Sequence, residues 1–331
     1  MIVLTNDVAS VNALARGSRR LISWAWSEAL HVGPVGKTLD LEIFARDRAL
    51  VFQYHGWDEC LEVEADFALR NKALLGALER QDEIVLLFGG GIRDQLSLAR
   101  LVAWLRAQDP EGMNRVKVSE SDSVLAEESD EALEKRVVSA ESVSLARVGD
   151  CQSVWKAFVS DDPRELETCR HSLESGPLKE AVNRILREYP SAENGLSLTE
   201  CQILDAISLG VEGPLELFQV CQEAEAIPFL NDWEFWAILD RLATGASPLI
   251  ETRGSDWFLC PPKALAWKSF QSQRFALTDS GKGTLRGEEN YALADFQERW
   301  IGGVQLVKDR LWFWDYLADQ LTRKPKIPYV L

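Results

Sequence analysis

The period of the apolar residues changes several times along the chain. "MIVLT" is a short apolar run. The spacing in "DVASVNALARG" is helical, opened by Asp7 as N-cap and closed by Gly17. "RRLISWAW" reads as a second strand. Residues 39–55 and 64–80 read as two amphipathic helices. "EIVLLF" is the strongest strand signal, a continuous apolar run between Asp82-Glu83 and three glycines. The helix "IRDQLSLARLVAWLRAQ" follows, apolar at 96, 98, 101, 102 and 105, and "NRVKVSE" is a last strand. Four strands joined by helices predict a small open parallel α/β sheet, Rossmann-like, over residues 1–120. Ligands are expected at the carboxyl ends of its strands.

The rhythm then shifts. Residues 119–135 are rich in serine and acid and read as an exposed connection or a solvated helix face, and as the preferred domain boundary. Residues 121–190 are expected to hold this connection and a helical middle, broken at "SDDP" (160–163) and "ESGP" (174–177). In the last part, residues 191–331, Ser197 stands three residues before Glu200, a capping-box spacing. Helices over "LSLTECQILDAISLG", "GPLELFQVCQEAEA" and "NDWEFWAILDRLATG" precede a hairpin predicted from "SPLIET", the turn "RGSD" and "WFLC". Three short helices and then a hairpin predict a winged-helix-like C-terminal domain. No internal repeat stands out.

Charge narrows the partners. The 331 residues carry 36 Lys+Arg against 52 Asp+Glu, a formal net charge of −16. Such a chain is repelled on average by phosphate backbones. The 46% hydrophobic content is ample for a packed core. The six cysteines form no Cys-x-x-Cys pair and read as reduced thiols. Three histidines are too few for a multi-histidine metal centre. The N-terminus lacks the basic start and apolar core of a signal peptide, and no window approaches a membrane span. A cytoplasmic protein is the expectation. The twelve tryptophans are scattered on apolar stripes, as core residues are.

The triplet Gly89-Gly90-Gly91 lies between a strand and a helix. It is neither Gly-x-x-x-x-Gly-Lys-Ser/Thr nor Gly-x-Gly-x-x-Gly. It reads first as a tight turn and second as an anion cradle at a helix N-terminus. Asp94, with Gln95 beside it, reads as the helix N-cap, or else as a polar group at the sheet's carboxyl edge. Asn6 and Asp7 end the first strand and stand as caps or ligand groups in the same crevice. "WSEALHVGP" carries Glu28 and His31 at a spacing that suits an acid–base pair, although a backbone-bonding loop histidine is the simpler reading. In the C-terminal part the third helix carries Asp232, Glu234 and Asp240 against one Arg241, the wrong composition for a major-groove reader. The basic residues that follow, Arg253, Lys263, Lys268 and Arg274, with Lys282 and Arg286, are the only basic cluster near that helix and stand as the nucleic-acid candidates. Trp300, Trp312 and Trp314 in "RWIGGVQLVKDRLWFWD" are expected to pack the C-terminal segment onto the winged helix.

Four stretches taken in order, "SWAWSEALHVGPV", "LLFGGGIRDQLSLARLVAWL", "AVNRILREYPSAENGLSLTECQIL" and "RWIGGVQL", resemble the bacterial family called domain of unknown function 1835. The resemblance spans nearly the whole chain. It implies an uncharacterised α/β domain followed by a second uncharacterised domain. His31, Gly33, Pro34, Asp94 and Gln95 match the family pattern; Glu28 replaces an Asp; Asp7 alone carries over from Asn-Gly-Asp. Where relatives read Glu-His-Asp, this chain has Gly89-Gly90-Gly91. The ligand candidates are therefore Asp7, Glu28, His31, Gly33, Gly89, Gly90, Gly91, Asp94 and Gln95. No catalytic residue, metal or cofactor is expected. The leading expectation is a non-catalytic binding or regulatory protein that engages another protein through its C-terminal half. The alternatives are a nucleotide- or phosphate-ligand-binding protein or hydrolase at the sheet edge, and a DNA-binding regulator.

Overall fold

A computed structural model describes residues 1–17, 21–57, 60–253 and 267–326. The protein is mixed α/β with a mainly parallel central sheet. The chain divides into two compact units, residues 1–184 with 300–304, and residues 185–299 with 305–331.

In the first unit, β1 (Ile2–Thr5) leads through α1 (Val8–Gly17) to β2 (Ile22–Ala25). Two helices, α2 (Leu41–Tyr54) and α3 (Cys60–Glu79), return the chain to β3 (Ile84–Gly89). Then come α4 (Ile92–Gln108), β4 (Val116–Ser121), α5 (Asp130–Val138) and the two-residue β5 (Glu141–Ser142). The strand order is β2-β1-β3-β4-β5. The four expected strands are parallel, in a register that sets Ile2 beside both Ile22 and Ile84, and Ile84 beside Val116. The fifth strand, antiparallel at the β4 edge, was not expected. Its brevity explains the omission, since two exposed residues carry no periodicity.

β3 is buried along its whole length, as its unbroken apolar run requires. Val3, Val85 and Leu87 form one cluster with Leu14 of α1 and Leu133 and Val137 of α5. The serine- and acid-rich stretch is therefore part of the first unit and not a boundary, and its later residues form the partly exposed helix α5, the second of its two expected forms. Leu125, Leu133 and Val137 bury among its charges, and Arg16 pairs with Asp130 at 2.7 Å. α6 (Leu145–Phe158) packs on α4 and is followed by α7 (Arg164–Ser172) and α8 (Pro177–Leu186), with breaks at the two expected places. Residues 300–304 also belong here: Val35 N–H donates to Gly302 O, and Gly303 N–H to Phe158 O, both at 3.0 Å.

In the second unit, α9 (Leu198–Ser208), α10 (Pro214–Glu223) and α11 (Asp232–Ala243) surround Ile203, Leu217, Phe235, Trp236 and Leu239. The Ser197–Glu200 capping box opens α9, and an Asn231–Glu234 box opens α11. β6 (Ile250–Arg253) pairs antiparallel with β7 (Arg274–Leu277), α12 (Trp267–Ser272) preceding the latter. The "WFLC" strand expected opposite β6 lies outside the described residues. α13 (Asp279–Leu285) and α14 (Tyr291–Ala294) follow; after the short strands β8 (Arg299–Ile301) and β9 (Val304–Leu306), whose residues 300–304 are grouped with the first unit, β10 (Phe313–Asp315) pairs with β11 (Gln320–Thr322). Trp312 and Trp314 are buried, and Trp314 O accepts from Ala192 N–H at 2.9 Å. Trp300 instead falls in the segment grouped with the first unit. Among the described residues no helix is long and apolar enough to cross a membrane.

Candidate functional site

The carboxyl edge of the sheet gathers Asn6 after β1, the glycines that end and follow β3, and Glu120 and Ser121 at the end of β4. The N-cap of α4 is Gly91, with no side-chain cap bond. Asp94 is not the N-cap: it is the third residue of the helix, and its carboxylate reaches back. Oδ1 accepts from Gly89 N–H at 2.8 Å, and Oδ2 from the Asn6 amide at 3.3 Å. Gln95 is wholly buried; its amide donates to Gly89 O at 2.8 Å, and its Oε1 accepts from Arg147 at 3.0 Å. Arg147 in turn pairs with Glu120. Both backbone groups of Gly89 are thus held by side chains of the first turn of α4. The physical logic is that of a sharp strand-to-helix turn, whose peptide groups leave the ladder before the helix can take them up.

Gly89 is forced by packing. A Cβ there would lie 2.7 Å from Ser123 O. The Ser123 segment is pinned by Ser121 Oγ, 2.8 Å from Ser123 Oγ, and by Glu128, which binds Ser121 at 2.7 Å. Gly90 and Gly91 are buried. Burial pushes the Asp94 carboxyl above its ordinary range and the nearby Asp7 charge adds to this, against the Gly89 N–H and the Asn6 amide. Asp7 is the α1 cap: its oxygens accept from Ser10 N–H at 2.6 Å and Ser10 Oγ–H at 2.7 Å.

Glu28 and His31 do not form the acid–base pair. Glu28 is turned into the interior, where its Oε1 accepts from Arg70 at 3.0 Å and Arg100 at 2.8 Å; all three side chains are at most 2% exposed. Arg100 lies roughly two turns beyond Asp94 along α4. Arg100 stacks on Phe44 at 3.4 Å, and Arg70 on Phe67 at 3.7 Å. Burial lowers the Arg70 guanidinium to about 10, against the pull of Glu28. Arg48, also buried, donates to the carbonyls of Glu28, Ala29, Val32 and Pro34. The loop after β2 is thus wrapped round a guanidinium. His31 is buried in this loop. Gly33 sits at φ +69°, where a side chain is strained and would meet Val51 at 2.6 Å. So Asn6, Asp94, Gly89 and Gln95 come together, with Asp7 near enough to act on Asp94, while Glu28 serves the interior.

Arg48, Arg70, Arg100 and Arg147 were missed. Three of them had a signal: each of Arg48, Arg70 and Arg100 is a long cation within a mostly apolar face of its helix. A long cation on such a face needs a buried partner.

Of the nucleic-acid candidates, Arg253 and Arg274 are register partners in β6 and β7. Arg253 lies 3.9 Å from Glu251 and 4.0 Å from Glu212, and Arg274 donates to the carbonyls of Gln271 and Gln273. Lys268 is exposed, and Lys263 lies outside the described residues. Arg241 of α11 is held by Glu200 at 2.9 Å, as is Arg299 at 3.1 Å. An open groove of about 700 Å³ beside α6 and α7 carries Lys156, Arg164, Thr168 and Cys169. Burial pushes the Cys169 thiol up to about 11, the opposite of an activated nucleophile. Among the described residues no three His, Cys, Asp or Glu gather as a metal-binding group.

No protein-family model matches the chain, and no curated protein matches it.

Proposed function

We propose that this protein is a non-catalytic binding or regulatory module that works through protein–protein contacts in the cytoplasm. In this reading it is a divergent member of the domain of unknown function 1835 family, with a Rossmann-like N-terminal part and a winged-helix-like C-terminal part. The observation that carries the reading is the closed network at the sheet's carboxyl edge. The turn where such folds hold ligands is occupied by the chain's own groups, with Asp94 on Gly89 N–H and Gln95 on Gly89 O. The order α9, α10, α11, β6, β7 and its shared core support the winged-helix-like part. DNA reading is disfavoured, because Arg241, the one cation of the third helix, is held by Glu200.

A second reading keeps a phosphate-bearing ligand at the N-terminus of α4, since Gly91 supplies no side-chain cap. It ranks lower because Asp94 and Asp7 place negative charge where the phosphate would sit. A thermal-shift series with ATP, NAD, inorganic phosphate and magnesium separates the two. No shift is expected. A ligand at about 100 times its dissociation constant adds roughly 2.7 kcal/mol, so binding is easily seen. A shift with any of the phosphate-bearing ligands would overturn the non-catalytic, protein-binding reading, and its enlargement by Asp94→Asn, which removes the opposing charge, would locate the phosphate at this turn.

A further inference from the structure

Two buried guanidinia share a single carboxylate oxygen in the first unit. Arg70 and Arg100 both donate to Glu28 Oε1, and two cations on one anion leave a positive charge withdrawn from water. Asp66, an exposed residue of α3, also draws on Arg70. Arg100 is 0% exposed, and Glu28 is the counter-charge that acts on it.

Aromatic rings take up part of this charge. The Arg70 guanidinium lies over Trp26 and Phe67 at 4.5 and 3.7 Å. That of Arg100 lies over Phe44 at 3.4 Å, with Trp155 at 5.9 Å. Ring faces attract the cation, but they leave the N–H groups in its plane without acceptors.

Those N–H groups are the deciding observation. Arg100 Nη1 serves Glu28, whereas its Nε and Nη2 are buried and meet no acceptor among the described residues, nor does Arg70 Nε. Nε and Nη2 form the side-on fork with which a guanidinium grips an anion bidentately. Buried donors are almost always bonded, and an orphaned one marks a water or an ion. A water satisfies the donors and leaves the charge; an anion answers both. Glu28 Oε2 is unpartnered too, but as an acceptor it calls for a water on its own side.

We infer that this interior binds one small monovalent anion, chloride, at the Nε–Nη2 fork of Arg100. A single negative charge balances the excess of one guanidinium over the carboxylate. The cost of stripping an ion of water rises steeply with its charge, so a divalent phosphate or sulfate is disfavoured in a closed, ring-lined interior. The ion is structural, taken up as α2, α3 and α4 bring Phe44, Arg70 and Arg100 together. It is independent of the protein-binding reading.

The test is thermal unfolding of the full chain in sodium chloride, bromide or gluconate at about 0.3 M, roughly thirty times a dissociation constant of about 10 mM. Gluconate is too bulky for the fork. The wild type is expected to melt roughly 4–8 °C higher in chloride than in gluconate, with bromide following chloride. Arg100→Met is expected to erase this difference. Glu28→Gln removes the internal counter-charge and is expected to enlarge it, which keeps the test decisive should Arg100→Met fail to fold. Arg16→Met, at the exposed pair with Asp130, is the control and is expected to keep the wild-type difference. In a crystal grown in bromide, an anomalous peak is expected beside the Arg100 fork. Equal melting in chloride and gluconate overturns the inference and leaves a buried water at the fork. A chloride gain that survives Arg100→Met, that shrinks in Glu28→Gln or that Arg16→Met erases overturns it as well, as does a bromide peak only elsewhere. Any of these leaves the protein-binding reading standing, and a nucleotide-induced thermal shift removes that reading without touching the ion.

Discussion

Glu28→Gln is the substitution most directly tied to the interior of the first unit. The wild-type carboxylate is shared by Arg70 and Arg100 at 3.0 and 2.8 Å, with all three groups withdrawn from water. Two unit charges about 4 Å apart interact with roughly 4 kcal/mol at an effective dielectric of 20. Removing one partner of a buried pair costs about 3–5 kcal/mol, because the other charge is left uncompensated. Here two guanidinia are left to repel each other. Glutamine keeps an oxygen acceptor and the volume, so about 3 kcal/mol is expected. For a unit of this size each kcal/mol lowers Tm by roughly 2–4 °C, so the drop is roughly 6–12 °C. The assay is thermal unfolding followed by tryptophan fluorescence, where Trp26 lies 4.5 Å from the Arg70 guanidinium and reports on this region. Arg100→Met is expected to cost less, about 1–2 kcal/mol, since Glu28 keeps Arg70. The triple change Glu28→Leu, Arg70→Met, Arg100→Met is expected to recover most of the Glu28→Gln loss, because an apolar cluster needs no counter-charge. A Glu28→Gln drop under about 3 °C, or a triple variant weaker than Glu28→Gln, would refute the reasoning.

Other predictions concern both units. Burial pushes Glu200 up, but Arg299 and Arg241 together hold its carboxyl down at about 2. A depressed folded value gives stability that is complete above the unfolded carboxylate range and is lost as pH falls through about 4 toward 2, ~3 kcal/mol in all. Acid unfolding of wild type against Glu200→Gln measures it, and equal slopes would contradict it. Gly89→Ala is expected to cost about 1–3 kcal/mol, because its methyl meets Ser123 O at 2.7 Å; urea unfolding reads this, and a neutral result would mean that the 121–124 segment gives way. Asp94→Asn is expected to stay within about 1 kcal/mol of wild type, since burial already disfavours the charge, while Asp94→Ala loses the Gly89 N–H bond and costs about 1–2 kcal/mol. Chemical denaturation orders the two, and the reverse order would remove Asp94 as the clamp of the turn.

The order of the elements was written in local patterns. The unbroken apolar run of β3, the helical spacing of α4 and the capping box before α9 each depend on residues a few positions apart, so a linear reading reaches them. The box before α11 was equally legible, since Asn231 and Glu234 stand three apart as Ser197 and Glu200 do. Which of the candidate groups meet was not written there. Glu28 and His31 are neighbours in sequence, yet Glu28 binds arginines 42 and 72 residues away, because folding brings α3 and α4 together around the loop after β2. The acidic stretch that begins in β4 read as a connection or a solvated helix face because its composition is polar. Only the packing of α5 on α1 gives its few leucines and valines a core to enter. Local periodicity fixes what a segment becomes, whereas the partner of a buried charge is decided by whichever distant element closes the space around it, and only the tertiary structure holds that information.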